Sequence, residues 1–184
     1  MVLGSSKKDP GSDILFTPLV DYLVRFSPCP TAVVYGDYIH KEWSPTNILV
    51  PVNGTLHSKN AAELACVLSR KENGRVILLN VIVRSFEAIL HDQREEILRK
   101  ELSVSQNIVT ELYELGQSYG VSISTMVREG TDLIKVIMDV VNEEKADLIV
   151  LGTNIRAAHD KLYMVPRVEN ILQDSPCPVI VINT

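Results

Sequence analysis

Two stretches of this chain repeat one another at a fixed spacing. Val2-Leu3-Gly4 recurs as Val150-Leu151-Gly152, and Ser27-Pro28-Cys29-Pro30 recurs as Ser175-Pro176-Cys177-Pro178, each 148 positions on (150 − 2 and 175 − 27). Between these anchors Pro18 meets Pro166, Val20 meets Val168, Asp21 meets Glu169 and Leu23 meets Ile171 without a gap. A spacing of that size is the length of a whole domain, so it signals a tandem array rather than a solenoid of short units. The chain accordingly divides into residues 2–36, the closing part of a preceding repeat; a polar linker over 37–45 that holds the only Trp; and one complete domain over 46–184. Met1 stands where the second copy has Ile149, in mid-strand, so the sequence reads as a piece of a longer protein.

Within the complete domain, short apolar runs alternate with amphipathic stretches. Ile48-Leu49-Val50, Val76-Ile77-Leu78-Leu79 with Val81-Ile82-Val83, Leu148-Ile149-Val150-Leu151 and Val179–Ile182 are continuous apolar runs, as expected of buried parallel strands. Val121, Ile123 and Thr125 begin a further strand. Between the strands, Ser58 is placed to cap a helix carrying Ala61, Leu64, Ala65 and Leu68 on one face. A long helix is predicted from about Asp92 to Ser118, with Ile97, Leu98, Leu102, Ile108, Val109, Leu112 and Leu115 as its buried stripe. Thr131 is the expected N-cap of a helix through Ile134, Ile137, Val140 and Val141, and a last helix spans about Arg167–Gln173. This order of elements calls for a parallel sheet with helices on both faces, whose ligands bind beyond the carboxyl ends of the strands.

The rest of the composition excludes several functions. With 18 Lys and Arg against 23 Asp and Glu the net charge is −5, so no overall field attracts nucleic acid or an anionic membrane. Cys29, Cys66 and Cys177 are too few and scattered for a disulfide framework or a zinc site, and are read as small core residues of a chain in the reducing cytoplasm. His40, His57, His91 and His159 lack metal-ligand spacing, and no nucleophile elbow is present. No apolar run approaches the roughly 20 residues of a membrane span.

Residues 46–184 resemble the universal stress protein family, through Ile48-Leu49-Val50-Pro51-Val52-Asn53-Gly54-Thr55, Arg128-Glu129-Gly130, Ala146-Asp147-Leu148-Ile149-Val150-Leu151-Gly152 and Ser175-Pro176-Cys177-Pro178-Val179-Ile180-Val181. The resemblance implies an open five-stranded parallel sheet of order 3-2-1-4-5 with helices on both faces, of the adenine-nucleotide alpha-hydrolase-like class, and dimerisation through the last strand. It implies a nucleotide pocket made by Pro51, Val52, Asn53, Val81, Gly152, Asn154, Arg156 and Arg167. The family's phosphate loop, Gly-x2-Gly-x9-Gly-Ser/Thr, falls here on Gly152, Ile155, Val165 and Pro166, so only its first glycine stands; the strand-1 acid is Asn53. The partial copy departs alike, with Lys7, Thr17 and Pro18. No cofactor is therefore expected, with ATP the one left open. Arg156 and Arg167 are candidates for an anionic ligand, with pairing to Asp160 or Glu169 the plain alternative.

The loop from Gly152 to Glu169 also resembles members fused behind cation/proton (Na+/H+) antiporters. The expected function is thus a non-catalytic regulatory and dimerisation domain on the cytosolic face of such a transporter, with the membrane part upstream. The alternative is a stress-response protein that binds ATP or AMP. The closing strands 31–34 and 179–182 are expected to pair, within the chain as a pseudo-dimer or between two chains as a homodimer.

Overall fold

The apolar runs form the middle of one sheet because they are hydrophobic at every position rather than at alternate ones. In the computed structural model, which describes residues 1–5, 22–24, 26–35, 44–84, 94–153, 156–158, 161–163 and 166–183, the strands are β1 (Val2–Ser5), β2 (Thr31–Tyr35), β3 (Asn47–Pro51), β4 (Arg75–Val83), β5 (Ser122–Gly130), β6 (Leu148–Thr153), β7 (Arg156–Ala158), β8 (Lys161–Tyr163) and β9 (Val179–Asn183). The helices are α1 (Leu56–Glu72), α2 (Arg94–Tyr119), α3 (Leu133–Glu143) and α4 (Pro166–Asp174). Ile48, Leu49 and Val50 of β3 are fully buried, as are Leu148, Ile149 and Val150 of β6, because helices cover both sheet faces there. Ile48, Val50, Val76 and Leu78 pack with Ala61, Ala65, Val109 and Leu112 of α1 and α2. Leu49, Ile77 and Leu79 pack on the other face with Ile137, Val140 and Val141 of α3 and Ile171 and Leu172 of α4.

The expected open five-stranded parallel sheet of order 3-2-1-4-5, and the adenine-nucleotide alpha-hydrolase-like class, are corrected by the pairing. The sheet has seven strands in the order β1-β2-β9-β6-β3-β4-β5 and is mixed, since β2 runs antiparallel to β9 while every other neighbour is parallel. The reason is the outer edge of β9. A bare strand edge presents a row of unpaired N–H and C=O groups, and β2 takes that row instead of solvent.

The repeat persists in three dimensions. β1 pairs with β2 through Val2↔Ala32, Leu3↔Val33, Gly4↔Val34 and Ser5↔Tyr35. β6 pairs with β9 through Val150↔Ile180, Leu151↔Val181, Gly152↔Ile182 and Thr153↔Asn183, the same register 148 positions on. At the join, Thr31↔Val181, Ala32↔Ile180 and Val33↔Val179 place the two closing strands side by side about a local two-fold at Ala32 and Ile180. The two Ser-Pro-Cys-Pro turns share one hydrogen-bond pattern. Ser27 Oγ donates to the Cys29 carbonyl (3.0 Å) and accepts from its N–H (3.3 Å), and Ser175 Oγ does the same at Cys177 (2.6 and 3.2 Å).

Several local expectations shift by a few residues. Thr55, not Ser58, caps α1; Ser58 lies buried inside the first turn. Asp132 rather than Thr131 caps α3, accepting from the N–H groups of Ile134 (2.9 Å) and Lys135 (3.2 Å). The stripe on α2 buries Val109 and Leu112, whereas Ile97 and Leu102 near its start are exposed. Cys66 and Cys177 are core residues, and burial pushes both thiols up to about 11. Cys29 is exposed, and its hydrogen bond with Ser27 lowers its pKa.

Candidate functional site

The sheet opens a crevice where the chain changes direction. β4 lies on one side of β3 and β6 on the other, so the loops leaving β3 and β6 part at their carboxyl ends. A cavity of about 460 Å³ occupies that place, lined by Pro51 at the end of β3, Val52 and Asn53 after it, Leu79, Val81 and Val83 of β4, Leu151, Gly152 and Thr153 of β6, and the first turn of α1. Leu133 and Ile137 of α3 and Val168 and Ile171 of α4 close it from the far face. Among the described lining residues none is Asp, Glu, Lys or Arg.

The mouth is built by a local hydrogen-bond set. Asn53 Oδ1 accepts from the N–H (3.2 Å) and the hydroxyl (2.7 Å) of Thr55, a turn that holds Thr55 in place as cap. Thr55 Oγ1 accepts in turn from the Ser58 N–H (3.3 Å), and Ser58 Oγ donates to the Thr55 carbonyl (2.8 Å) and accepts from the Asn53 N–H (3.4 Å). Asn80 Nδ2 reaches across from β4 to the Val52 carbonyl (2.7 Å). α1 thereby starts at the cavity, with the positive end of its dipole toward it.

Gly152 fixes how close that helix comes. A Cβ added there would lie 1.9 Å from the His57 carbonyl oxygen, 2.2 Å from its carbon and 2.7 Å from the Ser58 nitrogen. These are backbone atoms of the first turn of α1, so glycine is needed for packing in the ligand-free chain. Thr153, the next residue, is buried, and its Oγ1 has no hydrogen-bond partner among the described residues.

Of the residues expected to make the pocket, Pro51, Val52, Asn53, Val81 and Gly152 come together on this cavity. Asn154 lies outside the described residues, as do the side chains of Arg156 and Arg167. The backbone of the expected phosphate-loop segment holds a short hairpin, with Arg156↔Tyr163, Ala157↔Leu162 and Ala158↔Lys161 in register. Pro166 opens α4, where a missing N–H costs nothing. Sequence reasoning missed Leu79, Val83, Thr153 and the wall from α3 and α4. Period-two alternation from Val81 signals Leu79 and Val83, but nothing local signals the helix contacts.

Residues 45–183 match the universal stress protein family model. The chain belongs to the universal stress protein family. A universal stress protein of Methanocaldococcus jannaschii is 24% identical over 149 residues, covering 80% of this chain and 84% of that protein. The crystal structure of a universal stress protein from Archaeoglobus fulgidus superposes with a TM-score of 0.67 at 17% identity, covering 99% of this chain and 61% of that one. An Arabidopsis thaliana family member solved with AMP bound has a TM-score of 0.54 at 18% identity (76% and 92% covered). A universal stress protein in complex with cAMP has 0.53 at 15% (77% and 98%). The family is one of regulatory, non-catalytic domains, in line with the expectation that the chain is not an enzyme. Among the described residues no helix is long and apolar enough to cross a membrane, and no three His, Cys, Asp or Glu gather as for a metal ion.

Proposed function

We propose that this chain is a nucleotide-binding regulatory domain whose cavity takes an adenine nucleoside monophosphate or cyclic monophosphate. The observation that carries the reading is the cavity itself, an apolar cleft at the switch point between β3 and β6 with Pro51, Val52, Asn53, Val81 and Gly152 on its wall. Its uncharged lining suits a flat heterocycle, and the start of α1 favours an anionic group nearby. Relatives solved with AMP and with cAMP supply the ligand class. The replacement of two phosphate-loop glycines by Ile155 and Val165, and of the hydroxyl by Pro166, argues against a triphosphate. Arg156 and Arg167 are the residues in sequence for a single phosphate. This reading replaces the ligand-free transporter domain as the preferred one; the antiporter resemblance rests on residues 152–169, most of whose side chains lie outside the described residues.

We also read residues 2–36 as the closing part of a preceding repeat, joined by 37–45 to the domain over 46–184. The shared register of β1–β2 and β6–β9 and the two-fold pairing of β2 with β9 support an intrachain pseudo-dimer.

Calorimetric titration with AMP, cAMP, adenosine and ATP with Mg²⁺, alongside thermal melting, tests the function. AMP or cAMP at a hundred times its Kd stabilises the fold by about 2.7 kcal/mol, a rise of roughly 5–11 °C for a chain of this size. No binding by either monophosphate, or tighter binding of ATP than of AMP, would refute the reading.

A further inference from the structure

We infer that Asn80 is a positioning residue of the cavity: its side-chain amide, by holding the Val52 carbonyl, sets where the chain leaving β3 parts from β4. The inference rests on the nucleotide reading above and adds to it a residue outside the described cavity lining. β4 is otherwise apolar from Val76 to Val83, and asparagine is poorly suited to a strand covered on both faces. Asn80 is nonetheless 6% exposed, and it is the one amide among the buried polar residues described. Burying such a group is costly unless it is hydrogen-bonded. Its bond is the one from Nδ2 to the Val52 carbonyl, at 2.7 Å.

That bond falls where the sheet comes apart. β3 pairs with β6 as far as Leu49↔Ile149 and with β4 as far as Pro51↔Leu79, so beyond Leu49 the chain is held from the β4 side. Pro51 has no N–H to add. Val52 keeps both of its backbone groups on β4: its N–H donates to the Leu79 carbonyl (2.8 Å) and its carbonyl accepts from Asn80. From there the chain turns through Asn53 to the cap of α1 at Thr55. Alternation along β4 puts Leu79 and Val81 on the cavity wall and Asn80 on the opposite face, with Leu78, toward α1 and α2. Asn80 therefore acts on a ligand through Pro51, Val52 and Asn53, which line the cavity. Without the amide the Val52 carbonyl loses its donor, and the segment relaxes by turning that carbonyl to water.

The test measures binding of AMP, or of cAMP if that is the tighter, by calorimetry on the full chain, on Asn80→Asp and on Asn80→Leu, at pH 8 and at pH 5. Each affinity is taken relative to wild type at the same pH, so that titration of the nucleotide cancels. Far-UV circular dichroism at the titration temperature establishes that each protein is folded. Asparagine and aspartic acid share one shape, but a carboxylate cannot donate to the Val52 carbonyl, whereas a protonated carboxyl can. Burial against a carbonyl raises the new carboxyl above its ordinary value of about 3.9, so the donor returns as pH falls. Asn80→Asp is expected to bind about tenfold more weakly than wild type at pH 8 and within about threefold of it at pH 5. Asn80→Leu, of similar size and without a donor, should be about tenfold weaker at both. It carries the test if Asn80→Asp does not fold at pH 8. Wild-type affinity in either folded variant at pH 8 would overturn the inference and leave the nucleotide reading standing. So would a loss in Asn80→Asp that is as large at pH 5 as at pH 8, since restoring the donor would then restore nothing. Failure of the wild-type chain to bind AMP or cAMP overturns both.

Discussion

Replacing Gly152 by alanine separates two roles that the sequence alone merges. If the glycine serves only the approach of a ligand, the ligand-free protein should tolerate a methyl group there. The geometry says otherwise. The added Cβ would stand 1.9 Å from the His57 carbonyl oxygen, against ~3.3 Å for an ordinary carbon–oxygen contact. The first turn of α1 must therefore retreat by about 1.4 Å, the difference between those two distances. Retreat strains the cap at Thr55 and the Ser58 bonds, with about 1 kcal/mol at risk in the cap. Overpacking of a well-filled site adds about 1–3 kcal/mol, and the lower chain entropy of alanine returns about 0.5 kcal/mol. The net expectation is a loss of about 1.5–3.5 kcal/mol, or roughly 3–14 °C in melting temperature. Urea unfolding of the ligand-free protein, followed by far-UV circular dichroism, measures it. Gly120→Ala is the control, because nothing lies within 4 Å of its added Cβ and only its φ of +69° opposes the change, at about 1 kcal/mol. Should Gly152→Ala unfold within about 0.5 kcal/mol of wild type, the packing argument is wrong.

Asp147 holds the start of β3, accepting from the Thr46 N–H (2.9 Å), the Thr46 hydroxyl (2.9 Å) and the Asn47 N–H (3.1 Å); Asp147→Ala is expected to cost about 2–3 kcal/mol in urea unfolding. Asp147→Asn, which keeps one acceptor oxygen, should cost less, and equal losses would count against this role. The buried thiols of Cys66 and Cys177 ionise at about 11 rather than the ordinary 9.0, so the unfolded chain releases their protons first as pH rises. Their contribution is fully present below pH 9 and is lost on the way to pH 11, at up to about 2–3 kcal/mol each; a Cys66→Ala, Cys177→Ala double variant that keeps the full alkaline slope would contradict this. A thiol reagent at pH 8 should modify exposed Cys29 well before the other two cysteines, and Cys29→Ser should remove that fast phase. Deleting residues 1–43 strips β2 from β9; light scattering should then show self-association absent from the full chain, and an unchanged oligomeric state would argue against an edge in need of cover.

The sequence by itself determined the kind of elements, their order and the central strands. Continuous apolar runs such as Ile48-Leu49-Val50 belong only in a strand covered on both faces, and the expected pairing of the strands at 31–34 and 179–182 is met within the chain by Thr31↔Val181, Ala32↔Ile180 and Val33↔Val179. Through the family resemblance it also picked out five residues of the cavity wall, Pro51, Val52, Asn53, Val81 and Gly152. Caps were misplaced, by three residues at Thr55 and one at Asp132, because several neighbouring hydroxyl or carboxylate side chains are competent and only backbone geometry selects among them. The five-stranded expectation failed because strand count depends on which edges meet, a long-range fact that no local pattern carries. Only the tertiary structure showed that Gly152 is a seat for the first turn of α1, ninety-five residues before it in the chain (152 − 57), and that Thr153 is buried with no partner for its hydroxyl among the described residues. Both properties come from distances between segments remote in sequence, and packing sets those distances.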